Sequence, residues 1–130
     1  MTSRVSQVTV DARDVSAVSA FWSAALGYRV EQGDDGSAKL YPPESAGPDV
    51  VTIWVQAVTE HKQGKNPVHL DLNPTSGDDD ADAEVERLLA LGATRADVGQ
   101  RDSDPFVVLA DPEGNEFCVL RRSPRAGDAP

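Results

Sequence analysis

The sequence predicts an α+β fold of two tandem βαβββ modules whose sheets form a cupped, mixed surface. Two observations predict it. First, one pattern occurs twice. Val8-Thr9-Val10-Asp11 leads into an alanine-rich helical stretch ending at Leu26-Gly27, and Val68-His69-Leu70-Asp71-Leu72 leads into a second ending at Leu91-Gly92. Second, three short strand-like segments follow each Leu-Gly: 28–30, 39–41 and 50–56 in the first half, then 94–98, 106–110 and 116–120 in the second. A duplication of this kind implies a site shared between the halves. One domain over residues 1–122 is expected, with modules at about 4–58 and 66–122 and a flexible tail at 123–130.

The first strand alternates Val8 and Val10 against Gln7, Thr9 and Asp11. Asp14 is a good N-cap for the first helix. Val15, Val18, Phe21, Trp22, Ala25 and Leu26 then form an apolar stripe at three- and four-residue spacings. Gly27 suits a left-handed C-cap. Asp34-Asp35-Gly36 reads as a hairpin turn between the next two strands. Residues 41–48 form a Pro-rich loop placed to lie over a pocket mouth. The fourth strand sets Val51, Ile53 and Val55 against Thr52, Trp54 and Gln56. A polar segment, Glu60 to Asn66, joins the halves.

In the fifth strand, Val68, Leu70 and Leu72 share a face opposite His69, Asp71 and Asn73. The second helix is expected from about Asp80 to Leu91, with Ala83, Val85, Leu88, Leu89 and Leu91 inward and Gly92 ending it. Asp111-Pro112-Glu113-Gly114-Asn115 is a tight turn. The last strand sets Phe117 and Val119 against Glu116, Cys118 and Leu120. Four strands thus each carry an aliphatic face and a mostly polar one. The aliphatic faces belong under the helices, and the polar faces line a cavity or cleft.

Composition bounds the function. A chain of 130 residues with 39% hydrophobic content fits one compact domain with a real core. Its formal net charge of −10 repels phosphate backbones and argues against nucleic acid as a partner. The acidic run Asp78-Asp79-Asp80 with Asp82, Glu84 and Glu86 reads as a solvated loop and helix first turn, where the helix dipole favours negative charge. It lacks the alternating oxygen ligands of an EF-hand loop. Cys118 is the single cysteine, so no internal disulfide forms. No apolar run approaches the roughly 20 residues a membrane span needs, and Met1-Thr2-Ser3-Arg4 lacks a signal peptide's apolar core. A cytoplasmic protein without membrane association is expected. The sheet edges favour either intrachain pairing of the modules or a dimer, and a homodimer is expected.

The motifs Phe21-Trp22-Ser23-Ala24-Ala25-Leu26-Gly27-Tyr28, Lys65-Asn66-Pro67-Val68-His69-Leu70-Asp71-Leu72, the helix from Glu84 through Gly92, and the segment 109–117 occur in an order and spacing that resembles the vicinal oxygen chelate (VOC) superfamily. This superfamily includes glyoxalase I, extradiol dioxygenases and bleomycin-resistance proteins. The resemblance covers about residues 4–122 and is closer still to glyoxalase-like domains. It implies the glyoxalase/bleomycin resistance/dioxygenase fold. It also implies a divalent metal held, in catalytic members, by the first, fourth, fifth and eighth strands.

Carried over by position, the first-strand ligand falls on Gln7 and the fifth-strand ligand on His69, its mate under the duplication. The fourth-strand position, often Glu in the superfamily, falls on Trp54 or Gln56. The eighth-strand position, also often Glu, falls on Cys118. Without those carboxylates the expected reading is a polar cup binding a small organic molecule and lacking the usual metal site. A divalent metal, if held, would sit on Gln7, His69 and Cys118. The alternative is a metal-dependent or His-based lyase or isomerase related to glyoxalase I.

The ligand-binding candidates are Gln7, Trp54, Gln56, His69, Asp71, Glu116 and Cys118. His69 is the candidate for proton transfer, set against a plain role as a hydrogen-bonded sheet histidine. Asp71 is expected to act on it only indirectly, because i and i+2 residues of a strand lie some 6–7 Å apart. Cys118 reads as a small buried hydrophobe rather than a nucleophile. Trp54 is either a stacking wall or core filling. His61 is expected to be solvated, and Lys65 and Asn66 to shape the turn into the fifth strand rather than contact an anionic ligand at the rim.

Overall fold

The computed structural model describes residues 1–75 and 80–124. The Asp78-Asp79 part of the acidic run and residues 125–130 of the tail lie outside the described residues. The chain divides into two compact units, Met1–His61 and Lys62–Pro130.

In the first unit, strand β1 (Gln7–Ala12) is followed by helix α1 (Val15–Leu26) and strands β2 (Arg29–Gln32), β3 (Ala38–Tyr41) and β4 (Thr52–Ala57). In the second, β5 (Leu70–Leu72) is followed by α2 (Ala81–Ala90), β6 (Thr94–Arg95), β7 (Phe106–Ala110) and β8 (Glu116–Leu120). The four-stranded sheets have orders β1-β4-β3-β2 and β5-β8-β7-β6. In each, the first strand pairs parallel with the last and the others pair antiparallel. The helical crossover that a parallel pair requires accounts for the strand–helix–strand beginning of each module.

The caps fall as the sequence predicts. Asp14 accepts a hydrogen bond from the Ala17 amide at 3.0 Å, and Gly27 takes φ +73° at the other end of α1. There the Tyr28 amide reaches back to the Ser23 carbonyl. The Ala93 amide does the same to Leu88 beyond α2, so both helices close with the wide bond of a Schellman turn. Val18, Phe21 and Trp22 bury the α1 stripe over Leu40, Ile53 and Val55 of the sheet. Phe21 and Trp22 meet edge to face, with centroids 5.1 Å apart. In the second unit α2 packs on β8, and Val85, Leu88, Leu109, Phe117 and Val119 are buried.

Several elements are shorter than the pattern implies. The fifth strand begins at Leu70, and Val68 is 77% exposed instead of joining the aliphatic face. Strand β6 stops at Arg95, where the chain turns into the loop leading to β7. Ala83 and Leu91 face solvent while Ala81 is buried. The inward stripe of α2 is therefore Ala81, Val85 and Leu88, a clean i, i+4, i+7 set.

The Asp111 turn organises the β7–β8 hairpin. Its buried carboxylate accepts from the backbone amides of Glu113 and Asn115, each at 2.9 Å, and from the Asn115 side chain at 3.2 Å. One buried polar atom has no such provision. The Ser19 hydroxyl is enclosed within the α1 packing and finds no hydrogen-bond partner among the described residues. Ser19→Ala should stabilise the protein by about 1 kcal/mol, by removing an unpaired polar group of similar size. Chemical denaturation of the two proteins would measure this, and a loss of stability would mean that the hydroxyl is satisfied in solution.

Candidate functional site

The second unit carries a cavity of about 470 Å³. That lies within the range of roughly 300–1,000 Å³ usual for small-molecule sites. Strand register builds its floor. Asp71 on β5 pairs with Cys118 on β8, which pairs with Val108 on β7, so the three side chains form one rung across the sheet. The next rung carries Leu120 and Phe106, and Glu116 lies on the other side. His69, immediately before β5, and Lys65 in the preceding turn contribute the polar rim. The loop between β6 and β7 completes the wall with Val98, Gly99, Gln100 and Asp104.

This face alternates as expected for Asp71, Glu116, Cys118 and Leu120, and all four line the cavity. The contributions of β7 and of the 96–105 loop were not legible. Phe106-Val107-Val108-Leu109-Ala110 is apolar on both faces, so its cavity side carries no polar signature. Within the loop, Gln100 is anchored by its own backbone. Its side chain donates to the Ala96 carbonyl at 2.6 Å and accepts from the Val98 amide at 2.8 Å. Asp104 accepts from the Arg101 amide at 2.7 Å.

His69, Asp71 and Cys118 come together. His69 Nδ1 lies 3.4 Å from Asp71 Oδ1 and 3.9 Å from Cys118 Sγ. The His69–Asp71 contact is direct, contrary to the indirect relation expected for i and i+2 residues of a regular strand. His69 precedes the first residue of β5, so its side chain is released from the pleat and turns toward Asp71. Both side chains keep solvent access, at 34% and 48% exposure.

Cys118 is buried, and its thiol is pushed up to about 11. Burial is the largest cause. The Asp71 charge and the thiol–carboxylate hydrogen bond add to it, while Lys65 pulls the other way. At neutral pH the group is a protonated thiol, which is a poor nucleophile. Alkylation of chelator-treated protein by iodoacetamide should therefore be slow at pH 7 and accelerate as pH rises toward 11. Rapid labelling at neutral pH would overturn this assignment.

Glu116 is already committed. It takes the Lys62 ammonium at 2.9 Å and the Asn66 amide at 3.0 Å, with both charged side chains largely buried. Burial pushes the Glu116 carboxyl up, but the Asn66 amide and the Lys62 partner outweigh it and hold the group below its ordinary value. The Asn66 side chain donates to Asn115 at 2.9 Å. Asn66 thus shapes the turn into β5, and Lys65 alone of the two lines the cavity. A depressed carboxyl contributes stability that is present above the ordinary carboxylate range and lost as pH falls through the folded value. Glu116→Gln should consequently lower stability at pH 7 and flatten the acid limb of the stability–pH curve. An unchanged acid limb would mean that the pair contributes nothing.

The first-unit candidates are engaged within their own sheet. Gln7 accepts from the Thr52 hydroxyl at 3.0 Å. Trp54 Nε1 donates to Gln56 Oε1 at 2.8 Å, and the Gln56 amide donates to the Ser37 hydroxyl and the Ala57 carbonyl, each at 3.3 Å. Trp54 is half-buried, with its ring edge beside Gly33. His61 is exposed, with its Nδ1 2.9 Å from an Arg13 guanidinium nitrogen.

Two four-stranded sheets of the same βαβββ topology are the architecture of the VOC superfamily. More narrowly, the chain belongs to the glyoxalase-like domain family, whose profile matches residues 7–120. A search of curated proteins found no match. Among solved structures, similar chains include a glyoxalase/bleomycin resistance protein/dioxygenase family enzyme from Burkholderia phytofirmans PsJN. It is 21% identical, with a TM-score of 0.67 over 90% of this chain and 97% of that one. The fosfomycin resistance protein FosX from Mesorhizobium loti is 14% identical, with a TM-score of 0.72 over 97% of both chains. A mutant FosX from Listeria monocytogenes, complexed with Mn(II) and 1S,2S-dihydroxypropylphosphonic acid, is also 14% identical. Its TM-score is 0.70 over 95% of this chain and 93% of that one. At these identities the likeness is one of fold.

The superfamily implies a divalent metal, but the usual positions do not fit a hard cation here. Neither the fourth-strand candidates Trp54 and Gln56 nor the eighth-strand Cys118 supplies a carboxylate to offset its charge. The amide oxygens of Gln7 and Gln56 already accept hydrogen bonds from Thr52 and Trp54. Among the described residues, no helix is long and apolar enough to cross a membrane.

Proposed function

We propose that this glyoxalase-like protein binds a small organic molecule in the second-unit cavity without the carboxylate-bearing metal set of its catalytic relatives. The observation that carries this reading is the composition of the cavity wall. Phe106, Val108 and Leu120 offer an apolar surface, and His69, Asp71 and Lys65 stand at one side of it as hydrogen-bonding groups. Such a wall matches a ligand with a flat or aliphatic body and one polar end. Glu116 contributes shape rather than free charge, because Lys62 and Asn66 already occupy it.

A second reading draws on one contact. His69 beside Asp71 is an imidazole with a carboxylate 3.4 Å away to orient it, an arrangement suited to a proton-transferring group. A His-based lyase or isomerase would use that pair, with His69 moving the proton and Asp71 fixing the ring. A homodimer in the cytoplasm completes the proposal. The edge strands of each sheet support self-association.

The test is a thermal-shift and NMR screen of chelator-treated protein against small phenols, aromatic alcohols and aliphatic amides. A ligand at about a hundred times its dissociation constant should stabilise the fold by about 2.7 kcal/mol. Phe106→Ala and His69→Ala should each weaken binding, and His69→Ala should leave the melting temperature of the free protein nearly unchanged because the side chain is substantially exposed. Binding that survives both changes would place the ligand elsewhere. A turnover assay on any hit, lost in His69→Ala, would favour the enzyme reading.

A further inference from the structure

We propose that His69, Asp71 and Cys118 form a zinc-selective site within residues 62–124, with a donor set different from the one superfamily position alone implies. Asp71 lies two residues from His69 and outside the usual ligand positions, yet the structure brings it to the other two. One donor atom from each residue lies within 4.8 Å of the others. The same imidazole nitrogen, Nδ1, faces both partners, at 3.4 Å from the carboxylate oxygen and 3.9 Å from the thiol sulfur.

Those separations are of the size that donors around a single cation require, and the donor types select the ion. Zinc–nitrogen and zinc–oxygen distances of about 2.0–2.1 Å and a zinc–sulfur distance of about 2.3 Å place tetrahedral donors roughly 3.3 Å apart for nitrogen and oxygen, and roughly 3.6 Å for nitrogen and sulfur. The imidazole–carboxylate and imidazole–thiol pairs lie within a few tenths of an ångström of those edges, and the carboxylate and thiol donors lie within 4.8 Å of each other. The donor types agree with the distances. One imidazole, one carboxylate and one thiolate suit a borderline cation, whereas manganese(II) prefers a cage of oxygen donors and water. Charge also agrees, since an ionised Asp71 and a zinc-bound thiolate would neutralise the dication without the missing glutamates. Three protein donors leave a tetrahedral ion one further position, the arrangement of an open rather than a structural site. All three residues line the cavity. The inference does not depend on the organic ligand proposed above, because it concerns the stripped chain and the metal alone.

The experiment uses the full chain, expressed without an affinity-metal step and stripped with chelator. Zinc is titrated in competition with a chromophoric chelator, and manganese(II) by the loss of its free-ion paramagnetic resonance signal. The expected result is one zinc per chain, with manganese(II) at least about a hundredfold weaker, the direction fixed by thiolate softness and the Irving–Williams order. Cobalt(II) should give a thiolate-to-cobalt charge-transfer band that Cys118→Ser abolishes. Asp71→Asn should weaken zinc at least about tenfold, the lower end of what even outer-shell substitutions cost. Because Asp71 is exposed, this variant should fold even if the buried Cys118 substitution does not. His61→Ala and Gln7→Ala should leave zinc binding unchanged. The proposal is overturned by the absence of stoichiometric zinc binding, by manganese(II) binding as tightly as zinc, or by undiminished zinc binding in Asp71→Asn. Weakening by Gln7→Ala equal to that by Asp71→Asn would overturn it too, because the ion would then sit on the usual superfamily positions. Organic-molecule binding to the stripped chain is read separately, so either proposal can fail without the other.

Discussion

Strand register in the second sheet is the constraint on which the site depends. Strand β8 is central, paired parallel to β5 and antiparallel to β7. Its side chains alternate, with Phe117 and Val119 under α2 and Glu116, Cys118 and Leu120 on the cavity side. A slip of one residue would exchange these sets, burying a carboxylate under the helix and exposing a phenylalanine. The penalty for that exchange holds the register. The register in turn places Asp71, Cys118 and Val108 on a single rung.

The segment leading into β5 reinforces the same geometry. Lys62 and Asn66 both reach Glu116, the first residue of β8, and Asn66 also holds Asn115 in the turn before it. On the far side of that turn, Asp111 ties down the amides of Glu113 and Asn115. The start of β8 is thus fixed by charge-assisted hydrogen bonds from two directions. These largely buried polar groups are satisfied by one another, so they do not compete with the cavity for a ligand. The groups left for chemistry are the ones nearer solvent, His69, Asp71 and Lys65.

The two units use one topology for different ends. On the polar face of the first sheet, Gln7, Trp54 and Gln56 satisfy their hydrogen bonds with neighbours on the same sheet. Arg29 stacks over the Tyr41 ring at 4.6 Å, with Lys39 at 5.2 Å. On the polar face of the second, an imidazole, a carboxylate and a thiol converge instead. Duplication fixes where the side chains point. Which of them remain available is decided by whether a complementary partner lies within reach, as Thr52 does for Gln7 and Gln56 for Trp54.

The sequence by itself determined the modules, the caps and the faces. Asp14 and Gly27 bound α1, the aliphatic alternation of β1, β4 and β8 sets its own inward side, and the Asp111 turn follows from Pro and Gly at fixed offsets. These features depend on contacts a few residues apart or on a strict period, so a single sequence reveals them. It did not reveal where β5 begins, because Val68 continues the alternation while lying beyond the paired segment. Nor did it reveal the contribution of Phe106 and Val108, since β7 is apolar on both faces. Only the tertiary structure decided that His69 turns onto Asp71 and meets Cys118. That meeting joins residues 49 positions apart and depends on a parallel pairing and a released strand end, neither of which leaves a periodic trace in the chain.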